Sequence, residues 1–137
     1  MIEKMKYDEF IRNRPKARNP SREIEHDTQV ACVRWFRCQY CQFSHALFAV
    51  PNGGRRDAVT GAKMKAEGVL AGVSDLILLK SNRAYGALLI EMKTNKGHLS
   101  DNQKLWQSLI TQDKYKYVVC HSLDKFILEI NDYMSNT

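Results

Sequence analysis

The strongest constraint on how this chain folds is a pair of apolar runs, Asp75-Leu76-Ile77-Leu78-Leu79 and Ala87-Leu88-Leu89-Ile90-Glu91-Met92-Lys93, joined by the short polar link 80–86. Runs of this length, rich in aliphatic side chains and bounded by polar residues, are buried strands, and so short a link closes an antiparallel hairpin. Alternation with a period of two puts Glu91 and Lys93 on one face of the sheet and Met92 on the other. Ionised groups within or beside an apolar sheet are costly unless they are paired or bound to an ion. The convergence of Asp75 and Glu91 therefore needs a chemical reason.

The remaining elements follow from local signals. Ser21 as an N-cap predicts a helix over 22–38, with Ile24, Thr28, Ala31 and Trp35 on its buried face and Glu25 and Gln29 one turn apart on an adjoining face. Residues 46–50 lean towards a strand, halted by Pro51-Asn52-Gly53-Gly54, and a short helix carrying Ala58, Ala62 and Ala66 ends at Gly68. Ser100 with Gln103 forms a capping-box pattern that opens a helix to about residue 112. A strand over 115–120 and a final helix over 123–134, with Phe126, Ile127, Ile130 and Tyr133 at helical spacing, complete the chain. The order α, β, α, β, β, α, β, α predicts an α/β fold with a mixed β-sheet flanked by helices.

Composition narrows the class. A chain of 137 residues with 44% hydrophobic and 26% charged residues is one globular domain, and neither a disordered nor a collagen-like chain. The absence of a long apolar run, or of a signal-like start in MIEKMKYDEF, predicts a cytoplasmic protein in which Cys32, Cys38, Cys41 and Cys120 stay as thiols. The net charge of +6 favours a polyanionic partner. The first 22 residues hold seven bases against three acids, which predicts a basic N-terminal arm over 1–20 ahead of a domain over 21–137. Such an arm is equally consistent with a solvated tail and with a phosphate contact.

Hard divalent cations supply the reason for the buried acids. Mg2+ takes oxygen ligands and keeps several waters, so two carboxylates plus a substrate phosphate oxygen make a natural site. A lysine two residues from one carboxylate, Lys93, is placed to neutralise charge that builds on a phosphate or to orient a water. This constellation suits hydrolysis of a phosphodiester. Each piece alone also has a plain structural explanation, Glu-x-Lys as an edge ion pair and Asp75 as a turn residue.

Taken together, Glu25-x-x-x-Gln29, Pro51-Asn52-Gly53-Gly54-x-Arg56, Glu67-Gly68, Gly72-Val73-Ser74-Asp75-Leu76, Ile90-Glu91-Met92-Lys93 and Gly97-x-Leu99-Ser100-x-x-Gln103 resemble the virus-type replication-repair nuclease (VRR-NUC) domain of the PD-(D/E)xK superfamily. The resemblance runs in order from about residue 21 to 134 and implies a restriction-endonuclease-like core. It also implies that Asp75, Glu91, the backbone carbonyl of Met92 and Glu25 hold Mg2+ or Mn2+, with Lys93 catalytic and Gln29 and Gln103 lining the site. Asn52, Gly53, Gly54, Arg55 and Arg56 would then form a DNA-binding loop, through close backbone approach and paired arginine hydrogen bonds to phosphate. The implied activity is a metal-dependent DNA endonuclease acting on branched DNA such as Holliday junctions, as a homodimer. Its alternatives are a flap or loosely selective nuclease and a catalytically silent DNA-binding module. One departure stands out: the superfamily's Pro-Asp is Ser74-Asp75 here, which leaves the ligand in place and predicts a looser turn.

Other candidate sites carry less. Cys38-x-x-Cys41 with His45, Cys32 or His26 lacks a second ligand pair at zinc-finger spacing and reads as packed thiols. His98 reads as an exposed loop residue. Trp35, Trp106, Tyr115 and Tyr117 fit core or interface positions better than base-stacking platforms.

Overall fold

A computed structural model describes residues 20–51 and 57–137, with side chains from residue 23 onward. The predicted arm, apart from its last residue, and the loop residues Asn52, Gly53, Gly54, Arg55 and Arg56 lie outside the described residues. The first helix, α1, spans Pro20–Gln39. It starts ahead of the expected cap at Ser21, because proline at a first helical position gives up a backbone N–H that has no partner there anyway. Thr28, Ala31 and Trp35 are buried as expected, whereas Ile24 stays 39% exposed one turn before the helix reaches the core.

A 3-10 segment, Cys41–Ala46, leads into β1, Leu47–Ala49, so the expected strand loses a residue at each end. Helix α2, Ala58–Ala66, is capped by the Asp57 side chain, which accepts from the Thr60 N–H at 2.7 Å. It buries no residue. Strands β2, Leu76–Leu78, and β3, Ala87–Met92, form the predicted hairpin. Helix α3, Asp101–Ile110, strand β4, Tyr115–Cys120, and helix α4, Leu123–Ser135, follow.

The sheet order is β1-β2-β3-β4, with the first two pairings antiparallel and β3–β4 parallel. The α/β prediction of a mixed sheet flanked by helices is met. Strand β3 is buried along its whole length. Leu88, Ile90 and Met92 join Leu76, Leu78, Val118 and Cys120 in the core under α1 and α4. There Phe126 and Ile130 are fully buried, and Trp35 meets Phe126 edge to face at 6.1 Å. Side chains of this kind contribute about 1.5–3 kcal/mol each on burial. The opposite face is approached by α3, through Gln103 on Glu91 and Trp106 on Tyr117.

Two positive-φ glycines shape the passage from α2 to β2. Gly68, at φ +104°, ends α2 and has open space where a side chain would stand. Gly72, at φ +89°, has no such room, since a Cβ there would lie 2.5 Å from the Asn102 carbonyl oxygen. That approach brings the turn before Asp75 against the first turn of α3. Gly68→Ala should therefore lower stability by about 1 kcal/mol through backbone conformation alone. Gly72→Ala should lower it by more than about 2 kcal/mol, because backbone strain and a backbone clash add. Urea unfolding of the two variants checks the order, and equal losses would contradict the close packing.

Candidate active site

The hairpin register decides where the acids meet. Leu76 pairs with Ile90 in an antiparallel ladder, so the residue before β2, Asp75, stands opposite Glu91. Residues so paired have Cβ atoms only about 4.5–5.5 Å apart. Asp75 Oδ2 accepts the Met92 N–H at 2.8 Å, so this carboxylate does the work of a ladder carbonyl while facing the site. Its own carbonyl accepts from Val50 N–H at 2.9 Å, which extends the β1–β2 pairing beyond the strands proper. Ser74 is buried, and its hydroxyl donates to the Leu76 carbonyl at 3.2 Å. The serine thus fastens the turn that the sequence suggested it would loosen.

Glu91 is 2% exposed. Its Oε1 accepts from Gln103 Nε2 at 2.7 Å and lies 3.6 Å from Lys93 Nζ. Its Oε2 is buried without a hydrogen-bond partner. Gln103 holds its own place through the capping box: its Oε1 accepts the Ser100 N–H at 2.9 Å, while Ser100 Oγ accepts the Gln103 N–H at 3.3 Å. Because the backbone donor fixes which end of the amide is oxygen, the other end must present N–H to Glu91. Gln103 therefore serves both readings the sequence left open, cap and site residue.

Electrostatics match this crowding. Burial raises the pKa of Glu91, the charge of Asp75 raises it further, and Lys93 offsets part of the effect. Burial also raises Asp75, opposed by the Met92 N–H. Glu25 lies near enough for its charge to add to the rise at Glu91. Gln29 follows one turn later on α1, half-buried, and among the described residues it makes no hydrogen bond to Asp75 or Glu91. Asp75 and Gln103 open onto a cleft of about 310 Å3 walled by Gly72, Val73, Ser100 and Asn102.

Among the described residues, no three His, Cys, Asp or Glu side chains gather as a ready-made metal cage. The pair Asp75 and Glu91 nevertheless fits a hard cation: two carboxylates face each other across one hairpin, both are reluctant to ionise together, and one oxygen is buried without a partner. Cys38 and Cys41 are exposed, not packed, while Cys32 and Cys120 are buried. Trp35 is a core residue, and His98 is exposed as expected.

Sequence reasoning missed one residue of this neighbourhood. Tyr117, half-buried on β4, meets Trp106 edge to face at 6.1 Å, and its hydroxyl is buried without a partner. Burial and the charges of Glu91 and Asp75 push its phenol pKa up. A signal was present: Tyr117 is the polar-tipped residue of a strand next to the acid-bearing one.

The model of the VRR-NUC domain matches residues 9–124. The chain belongs to the VRR-NUC family. A solved structure described as a "VRR_NUC domain protein" superposes with a TM-score of 0.72 at 26% sequence identity, covering 82% of this chain and 89% of that one. No curated protein matches. As a VRR-NUC member, the chain carries a nuclease-family domain, and the matched stretch includes the hairpin that bears Asp75 and Glu91.

The raised carboxyl pKa values have a consequence for metal-free protein. A group that holds its proton more tightly when folded stabilises the fold at low pH, and that contribution is lost as pH rises through the folded pKa. Glu91→Gln removes this loss while keeping the side chain's shape. In chelator, the variant's melting temperature should match wild type near pH ~5 and exceed it increasingly towards pH ~9. A constant difference across that range would contradict the raised pKa.

Proposed function

We propose that this VRR-NUC protein is a metal-dependent DNA endonuclease that hydrolyses phosphodiester bonds. The observation that carries the reading is Asp75 opposite Glu91 with Lys93 Nζ 3.6 Å from Glu91 Oε1. Asp75, Glu91 and the Met92 carbonyl would hold Mg2+ or Mn2+, and Glu25 would act on the same ion directly or through water. When bound, the ion supplies Lewis acidity towards the phosphate and lowers the pKa of an attacking water.

The chain's own groups do the rest. Lys93 brings a positive charge, held by Glu91, to where negative charge grows on the phosphoryl oxygens during attack. Its attachment to a fully buried strand removes the freedom that would otherwise have to be lost on reaching the transition state. Gln103 fixes the rotation of the Glu91 carboxylate, and the packed turn at Gly72 fixes Asp75. The cleft beside Asp75 is the entry for the sugar-phosphate backbone, and Arg55 and Arg56 are proposed to contact phosphates through paired hydrogen bonds.

Branched DNA, such as a Holliday junction, is the proposed substrate, and a homodimer is the proposed assembly. Both are supported by the family resemblance, and two-fold symmetry would present two active sites to opposite strands. The surplus of basic residues in the first 22 supports a polyanionic substrate.

The decisive assay incubates the protein with four-way, flap and linear duplex DNA in Mg2+, Mn2+ or chelator. Cleavage is expected only with metal, and preferentially on the four-way substrate. Asp75→Asn and Glu91→Gln should each lose at least about a hundredfold in turnover with DNA affinity little changed. Metal-independent cleavage, or full activity in either variant, would overturn the assignment.

A further inference from the structure

Among the described residues, two side-chain polar atoms are buried without a hydrogen-bond partner: Glu91 Oε2 and the Tyr117 hydroxyl. One is an acceptor, the other a donor. Orphaned polar atoms of this kind are rare in folded proteins and call for an explanation one at a time.

The parallel register puts them in the same neighbourhood. Leu89 pairs with Tyr117 and Glu91 with Val119, so Tyr117 lies on the Glu91 face of the sheet, one pair earlier along the adjacent strand. Diagonal neighbours of this kind sit roughly 7–8 Å apart, a gap that an aromatic side chain spans. After burial, the charges of Glu91 and Asp75 both raise the pKa of the Tyr117 phenol, as groups on one face of the sheet do. Trp106 on α3 meets the ring edge to face and limits where it swings. The same helix delivers Gln103 to the other oxygen of Glu91.

We propose that the Tyr117 hydroxyl is the hydrogen-bond donor to the second carboxylate oxygen of Glu91, and thereby a positioning residue for the cation held by Asp75 and Glu91. Both atoms are buried without a hydrogen-bond partner, and a rotation of the tyrosine side chain that brings donor to acceptor would satisfy both. Gln103 and Tyr117 then hold the two oxygens from two different elements. Partners that orient a metal ligand in this way commonly change metal affinity by about tenfold or more when removed.

This role rests on the reading of Asp75 and Glu91 as metal ligands, so the test separates the two. Tyr117→Phe removes one oxygen and keeps the ring against Trp106. Mn2+ binding without DNA, followed by electron paramagnetic resonance, should weaken about tenfold in Tyr117→Phe, with the metal-free melting temperature unchanged or slightly higher. Affinity within twofold of wild type would overturn the role. If wild type binds no Mn2+, the metal reading fails by itself and a second measurement decides on Tyr117. Carbon NMR of ring-labelled tyrosine in metal-free protein should show a Tyr117 resonance that moves in Glu91→Gln. An unmoved resonance would overturn the contact.

Discussion

Two carboxylates held face to face in an apolar sheet are the constraint on which the rest of this molecule depends. The antiparallel register that puts Leu76 against Ile90 leaves Asp75 against Glu91. Nothing in packing favours that arrangement: burial raises the pKa of both groups, and the charge of Asp75 raises that of Glu91 further. The surroundings are organised around the problem. A backbone N–H, a glutamine amide and a lysine ammonium converge on the pair, and a cation would complete what they leave unfinished.

Precision comes from how this pair is mounted. Glu91 sits on a strand buried from end to end, and Asp75 sits at the close of a turn whose glycine touches the backbone of α3. The main core lies on the other face, under α1 and α4, so the site face is free to carry polar chemistry while the hydrophobic side supplies the stability. Helix α3 links the two acids, touching the Asp75 turn through Asn102 and Glu91 through Gln103. Functional geometry of this tightness needs rigid elements rather than loops.

Much of this was legible in the sequence. Strand β4 and the capping box of α3 appear where the local signals put them, and the hairpin that carries the acids differs from its prediction by a residue at its ends. Helix α2 appears where its alanines and Gly68 put it, and its lack of buried residues was not legible because alanine at helical spacing reports helix propensity, not burial. Ile24 was misread because periodicity shows a face but not how far along the helix the core reaches. The Tyr117 hydroxyl escaped because which strand lies beside the acid-bearing one, and in what register, is not printed in one sequence, and the Ser74 hydroxyl because its bond to the Leu76 carbonyl depends on the conformation of the turn.

The double duty of Gln103 sets a limit on how this site can change. Its oxygen stitches the start of α3 and its nitrogen steers Glu91, so one amide couples the folding of a helix to the tuning of an active centre. Selection acting on either property drags the other along. A substitution on the exposed helix α2, which buries no residue, carries no such double cost.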